Sequence, residues 1–216
     1  MQIDIKASQL LNSRLFHDLL GPITAINNGI EFVAEPGNDA DAVNLLKYSA
    51  DRLRRRINFF RGAFGLGGGK KDEFSLMEAG ILVDGWFADS KSTLKWPGDE
   101  TLATMGIVDT SPVKLLMILS MLAEESLPRG GEVSVQVKLL SEGLGLMVSA
   151  LGHGARCPDG VEQAIASSCR LEDLSARNIV SYVGACIANS LGARIEAGQS
   201  EGQVDYASLI PINQTR

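Results

Sequence analysis

Arg14-Leu15-Phe16-His17-Asp18-Leu19-Leu20-Gly21-Pro22-Ile23-Thr24-Ala25-Ile26 is the stretch whose reading decides the fold. Phe16, Leu19, Ile23, Ile26, Ile30 and Val33 recur at alternating steps of three and four, the spacing of a seam between packed helices. His17 directly follows a seam residue, so on a helix it points away from the buried stripe and toward water. An exposed imidazole beside an acid can act as a nucleophile, which makes His17 and Asp18 the candidate catalytic pair. Asp18 is equally readable as a solvated helix residue. Leu20, Gly21 and Thr24 share the face of His17, Ser13 and Arg14 flank it on the preceding turn, and Asn28 lies one turn beyond. An apolar Leu20 and a Gly21 without side-chain bulk suit close docking by another protein. Ser13, Arg14, Leu20, Gly21, Thr24 and Asn28 are therefore the candidate interface residues.

Outward from this stretch, the pattern predicts one helix from about Ile5 to Ala34, a turn at Glu35-Pro36-Gly37-Asn38, and a second helix capped by Asn38 or Asp39. Pro22 falls inside the first helix, where it removes a backbone hydrogen bond and predicts a bend just after His17. The second helix carries its own stripe, Val43, Leu46, Ala50, Leu53, Ile57, Phe60 and Phe64. A lone hairpin would leave much of both stripes wet. Pairing of two hairpins into a four-helix bundle buries them, so the expectation is a homodimer. The competing arrangement has the downstream part of the chain covering the stripes. Lys47, Arg52, Arg54, Arg55, Arg56 and Arg61 make the second helix basic, and most of them read as its solvated face.

The whole chain has 216 residues and a formal net charge of −6, which argues against general affinity for nucleic acid or an anionic membrane. The first residues lack a basic region followed by an apolar core, and no apolar run approaches the ~20 residues of a membrane span. The expected location is the cytoplasm. Cys157, Cys169 and Cys186 form no paired motif and read as buried or half-buried thiols in place of a disulfide or zinc framework.

Gly65-Leu66-Gly67-Gly68-Gly69-Lys70-Lys71 reads as a linker, dividing the chain into residues 1–66 and 71–216. Beyond it, Ser75-Leu76-Met77-Glu78 has the spacing of a capping box and opens a helix to about Asp89. Thr93–Lys95 and Ala103–Val108 read as short strands, and Ser111-Pro112 starts a helix reaching Ser126. Strands over Glu132–Leu140 and Leu144–Leu151 follow, then helices over Val161–Ser167 and Ser175–Leu191, then a hairpin of Arg194–Ala197 and Val204–Ile210. The fold class is α+β: an N-terminal helical hairpin and a C-terminal α/β sandwich.

His17-Asp18-Leu19 with Pro22 five positions after the histidine resembles the phospho-acceptor box of histidine kinases and dimeric histidine phosphotransferases. With Ala25-Ile26-Asn27-Asn28-Gly29 and Arg61-Gly62-Ala63-Phe64-Gly65, the chain resembles the ChpT-type histidine phosphotransferases of bacterial phosphorelays. The resemblance implies that residues 1–66 are a dimerisation and phosphotransfer domain and that 71–216 resemble a histidine-kinase ATP-binding domain. In that family a metal-binding asparagine stands where this chain has Glu124, and the adenine-binding aspartate of D-x-G-x-G where it has Ala150, in Ala150-Leu151-Gly152-His153-Gly154. No glycine-rich phosphate loop precedes the helix near Ile179. Gly21 stands where many histidine kinases have the Thr or Asn associated with phosphatase action.

The resemblance thus implies a histidine phosphotransferase that accepts a phosphoryl group on His17 from one receiver-domain aspartate and passes it to another receiver. It implies no cofactor of its own, the receiver supplying magnesium, and receiver domains with a second copy of the chain as partners. Two alternatives remain: an ATP-dependent histidine kinase core with diverged nucleotide motifs, and a noncatalytic dimer that binds receivers.

Overall fold

A computed structural model describes residues 4–33, 39–65, 75–104 and 108–211. Helix α1, Ile5–Val33, runs unbroken through Pro22, and α2 covers Asp39–Phe64. The expected turn at 35–38 and most of the expected linker lie outside the described residues. The two helices meet through small side chains: Ala7, Pro22 and Gly29 are buried on α1, and Ala42, Ser49 and Ala63 on α2. A β-carbon added at Gly29 would lie 2.9 Å from the Leu46 side chain, so the missing methyl is what lets the helices approach. The row used inside the hairpin therefore adjoins the apolar stripe picked out by spacing and is not identical to it. Phe16, Ile23, Ile30, Val33, Val43 and Ile57 stay exposed in the single chain, and Leu19, Ile26, Leu46 and Leu53 are half-buried.

The α/β part begins at α3, Leu76–Phe87, whose N-terminus is closed by the expected capping box. The Ser75 hydroxyl oxygen accepts from the Glu78 N–H at 3.2 Å, and the Glu78 carboxylate accepts from the Ser75 N–H at 2.9 Å. Strand β1, Ser92–Lys95, is followed by a short helix α4, Asp99–Thr104, and by α5, Thr110–Glu125. The strand expected over Ala103–Val108 is thus corrected: its first residues finish a helix, and 105–107 lie outside the described residues. The turn at Gly98 closes helically through the Leu102 N–H on the Gly98 carbonyl, an acidic Glu100 near the N-terminus favours that helix, and the apolar run alone could not distinguish the two.

Strands β2, Gly131–Leu139, and β3, Gly143–Leu151, precede α6, Val161–Ile165, a 3-10 turn over Leu171–Asp173, and α7, Ile179–Ser190. The last helix starts four residues later than expected, because the Asn178 side chain accepts the Ser175 N–H at 2.8 Å and holds residues 175–178 in a turn. Strands β4, Glu196–Ser200, and β5, Gln203–Pro211, complete a sheet of order β1-β2-β3-β5-β4. β1 and β2 are parallel and the other pairs antiparallel.

One face of the sheet, through Val133, Val135, Val137, Leu146, Val148, Val204 and Tyr206, packs under α5, whose residues from Leu115 to Ala123 are all buried. The same hydrophobic cluster continues into the hairpin. The Phe59 ring lies 4.5 Å from that of Trp86 on α3, Phe60 lies 5.6 Å from it, and Ala7 is fully buried. The α/β part therefore covers the lower end of both helices, including the expected stripe residue Phe60, and leaves the upper stripe bare. Replacing Phe59 by Ala removes a fully buried ring at this junction and should cost about 3–5 kcal/mol, read as a lowered midpoint of urea unfolding.

Candidate functional site

His17 sits on the outer face of α1 with its side chain 84% exposed. Its Nδ1 lies 3.3 Å from an oxygen of Asp18, the geometry of a long hydrogen bond. Five-membered ring geometry then aims Nε2 at solvent. Asp18, by contrast, turns inward and is only 17% exposed. Its other oxygen accepts from Nε of Arg14, one turn earlier on the same helix, at 2.9 Å. A second nitrogen of Arg14 donates to Glu125 on the last turn of α5 at 2.5 Å, across 111 residues of sequence. One arginine thus joins the acid beside His17 to a carboxylate of the α/β part.

The end of α5 is held firmly. The Ser126 hydroxyl donates to the Leu122 carbonyl at 2.8 Å and meets the Tyr206 hydroxyl at 3.0 Å, while the Arg156 N–H binds the Ser126 carbonyl at 3.0 Å. Glu124 accepts from the Ser90 hydroxyl at 2.6 Å. Burial of Glu125 outweighs the attraction of Arg14, and its pKa is pushed up from the ordinary 4.5 to about 7. For Arg14, burial acts downward but the attraction of Glu125 and Asp18 prevails, and its pKa is raised.

The other candidate interface residues divide. Ser13, Leu20, Gly21, Thr24 and Asn28 are exposed around His17, and nothing lies within 4 Å of where a β-carbon on Gly21 would be. Arg14 does not join them, since its guanidinium is spent on Asp18 and Glu125. The basic face of α2 is likewise partly internal, which corrects its reading as mostly solvated. Arg55 makes two hydrogen bonds to Asp89 at 2.8 and 2.9 Å, Arg52 lies 3.8 Å from the same carboxylate, and Arg56 stacks 3.5 Å from the centre of the Trp86 ring. Burial, aided by Arg52, lowers the Arg56 pKa. Glu125 is the functional candidate that sequence reading missed. The Arg14–Asp18 half of the network was missed as well, although its four-residue spacing is that of a helical ion pair and could have signalled it, whereas nothing local points to the distant anchor.

In the α/β part, Ala150 is fully buried and His153 is an exposed loop residue whose Nδ1 lies 2.9 Å from Arg129. Cys157, Cys169 and Cys186 are half-buried free thiols, and burial raises the pKa of each. Among the described residues no group of three or more His, Cys, Asp or Glu side chains could hold a metal ion, and no helix is long and apolar enough to cross a membrane.

A long helical hairpin with an exposed histidine thus packs on a five-stranded α/β sandwich. Residues 76–203 match the family described as histidine phosphotransferase C-terminal domain, and the chain belongs to that family. It is 28% identical over 186 residues to protein phosphotransferase ChpT of Brucella abortus, an overlap of 86% of this chain and 87% of that protein. The fold is that of a bacterial phosphotransferase solved at 1.7 Å: TM-score 0.79 at 24% identity, covering 96% of this chain and 98% of the other. This protein is a histidine phosphotransferase of a phosphorelay.

Glu125 gives this site a signature in pH. The folded chain holds that proton more tightly than the unfolded chain, so stability from this group is full below about pH 4.5 and is lost as pH rises through about 7. Relative to a Glu125→Gln variant, the protein should lose roughly 3 kcal/mol of stability between those limits, measured by urea unfolding of both at pH 4.5 and pH 8.

Proposed function

We propose that His17 is the phosphoryl acceptor and donor of this phosphotransferase, working between receiver domains, with two copies of the chain paired through α1 and α2. The observation that carries the reading is the His17 ring itself: it stands free on the wet face of α1 with Nδ1 against the Asp18 carboxylate. That contact favours the tautomer with the proton on Nδ1, leaving the Nε2 lone pair available. Nε2 attacks the phosphorus of a receiver's aspartyl phosphate, the P–O bond to that aspartate breaks, and the donor is left as a carboxylate. The ring becomes a phospho-imidazolium whose Nδ1–H faces Asp18, so the new positive charge meets a fixed negative one. Transfer to the next receiver runs the same step backward. Receivers bring their own magnesium and cationic side chain, so this chain supplies position and little else.

Independence from ATP is part of the proposal. The residues that stand where a histidine kinase would hold nucleotide and metal are poorly suited to either ligand, since Ala150 offers no acceptor and one oxygen of Glu124 already accepts from Ser90. Pairing of two chains rests on the bare stripe of Phe16, Ile23, Ile30, Val43 and Ile57, which is laid out for a second hairpin.

A purified receiver charged with labelled phosphate should pass its label to the wild-type protein and not to His17→Gln; label reaching the variant equally well would contradict the assignment. Asp18→Asn should slow the transfer by about a hundredfold without abolishing it. Calorimetry with ATP and magnesium should register no submillimolar binding. Ile23→Glu with Ile30→Glu should halve the mass seen by light scattering, since charges in a dry seam are not tolerated.

A further inference from the structure

We propose that Glu125 is a positioning residue for phosphoryl transfer: through Arg14 it clamps the Asp18 carboxylate against Nδ1 of His17, so that the α/β part orients the acceptor ring. The inference rests on the reading of His17 as the acceptor and adds a role for the part of the chain that lies across the hairpin from it.

The geometry is a single unbroken line. Nδ1 of His17 meets one oxygen of Asp18 at 3.3 Å, the other oxygen meets Nε of Arg14 at 2.9 Å, and a terminal nitrogen of Arg14 meets Glu125 at 2.5 Å. With both oxygens committed, the Asp18 carboxylate has its plane set from behind. An arginine and an aspartate four residues apart on one exposed helix hold each other too weakly to do this alone. Glu125 supplies the missing constraint, because the far end of α5 is pinned to the sheet by Ser126 and Tyr206.

Glu125 is also a poor choice on grounds of stability. It is a half-buried acid in the last turn of a helix, beside Glu124, where the helix dipole already disfavours negative charge. Groups held against stability in this manner cluster at functional sites. His17 needs such a constraint, since a free histidine carries its neutral-form proton mostly on Nε2, the nitrogen that has to attack. Contact with Asp18 reverses that preference only while the carboxylate keeps its place.

Phosphoramidate is a direct probe because it phosphorylates an imidazole without any receiver. Its N–P bond breaks, a new N–P bond forms at Nε2, and ammonia leaves with a proton taken from water. Glu125→Gln and Arg14→Met should each slow labelling of His17 by roughly tenfold, and the double variant should be no slower than the slower single one. Long-range proton–nitrogen NMR spectra should show the His17 proton on Nδ1 in the wild type and shifted toward Nε2 in both variants, with His153→Gln used to assign the signals. Circular dichroism confirms that each variant is folded. Folded variants that keep the wild-type rate, or that lose rate with the tautomer unmoved, would overturn the inference. Label persisting in His17→Gln would overturn the acceptor reading, and this inference with it.

Discussion

Docking of the hairpin on the α/β part through Phe59, Phe60 and Trp86 is the contact on which the remaining geometry depends. Three large rings removed from water at one junction fix where α2 lies, and the Gly29 and Ala42 row fixes α1 against α2. Arg14 then arrives opposite the end of α5. Without that register the Arg14–Glu125 contact would have no reason to form, and the acid beside His17 would be an ordinary solvated side chain. The polar side of the same junction, Arg55 and Arg52 on Asp89 and Arg56 over Trp86, uses the charges of α2 to close the edge of the apolar patch.

The faces of the hairpin consequently carry different roles. Small residues pack inside it, a branched and aromatic stripe lies bare beside them, and the histidine stands on the remaining wet face. An α-helix of this length can present all three because its rows repeat at seven-residue intervals, as Pro22 to Gly29 and Phe16 to Ile23 to Ile30 illustrate. Pro22 is compatible with this arrangement because it lies buried in the α1–α2 contact, where its bulk serves packing.

Much of this was legible in the sequence. The seam spacing placed both long helices, the capping box at Ser75 placed α3, and the alternation of Val133, Val135 and Val137 placed β2, because each is a local pattern whose period the backbone imposes. The apolar run at 103–108 failed for the same reason, since five or six residues carry too few periods to separate helix from strand. At the site, the outward direction of His17 followed from its place after Phe16. The inward turn of Asp18 and Arg14 did not, because it is decided by a carboxylate 111 positions away, and no local pattern encodes such a contact.

One ring nitrogen, exposed and aimed at solvent, carries the proposed chemistry. The most direct test is to let the wild-type protein accept phosphate from a charged receiver and locate the phosphorus by phosphorus–proton NMR under neutral conditions. One signal, coupled through Nε2 of His17, is the predicted result. A signal on His153, on Nδ1 of His17, or on a side-chain oxygen would contradict it.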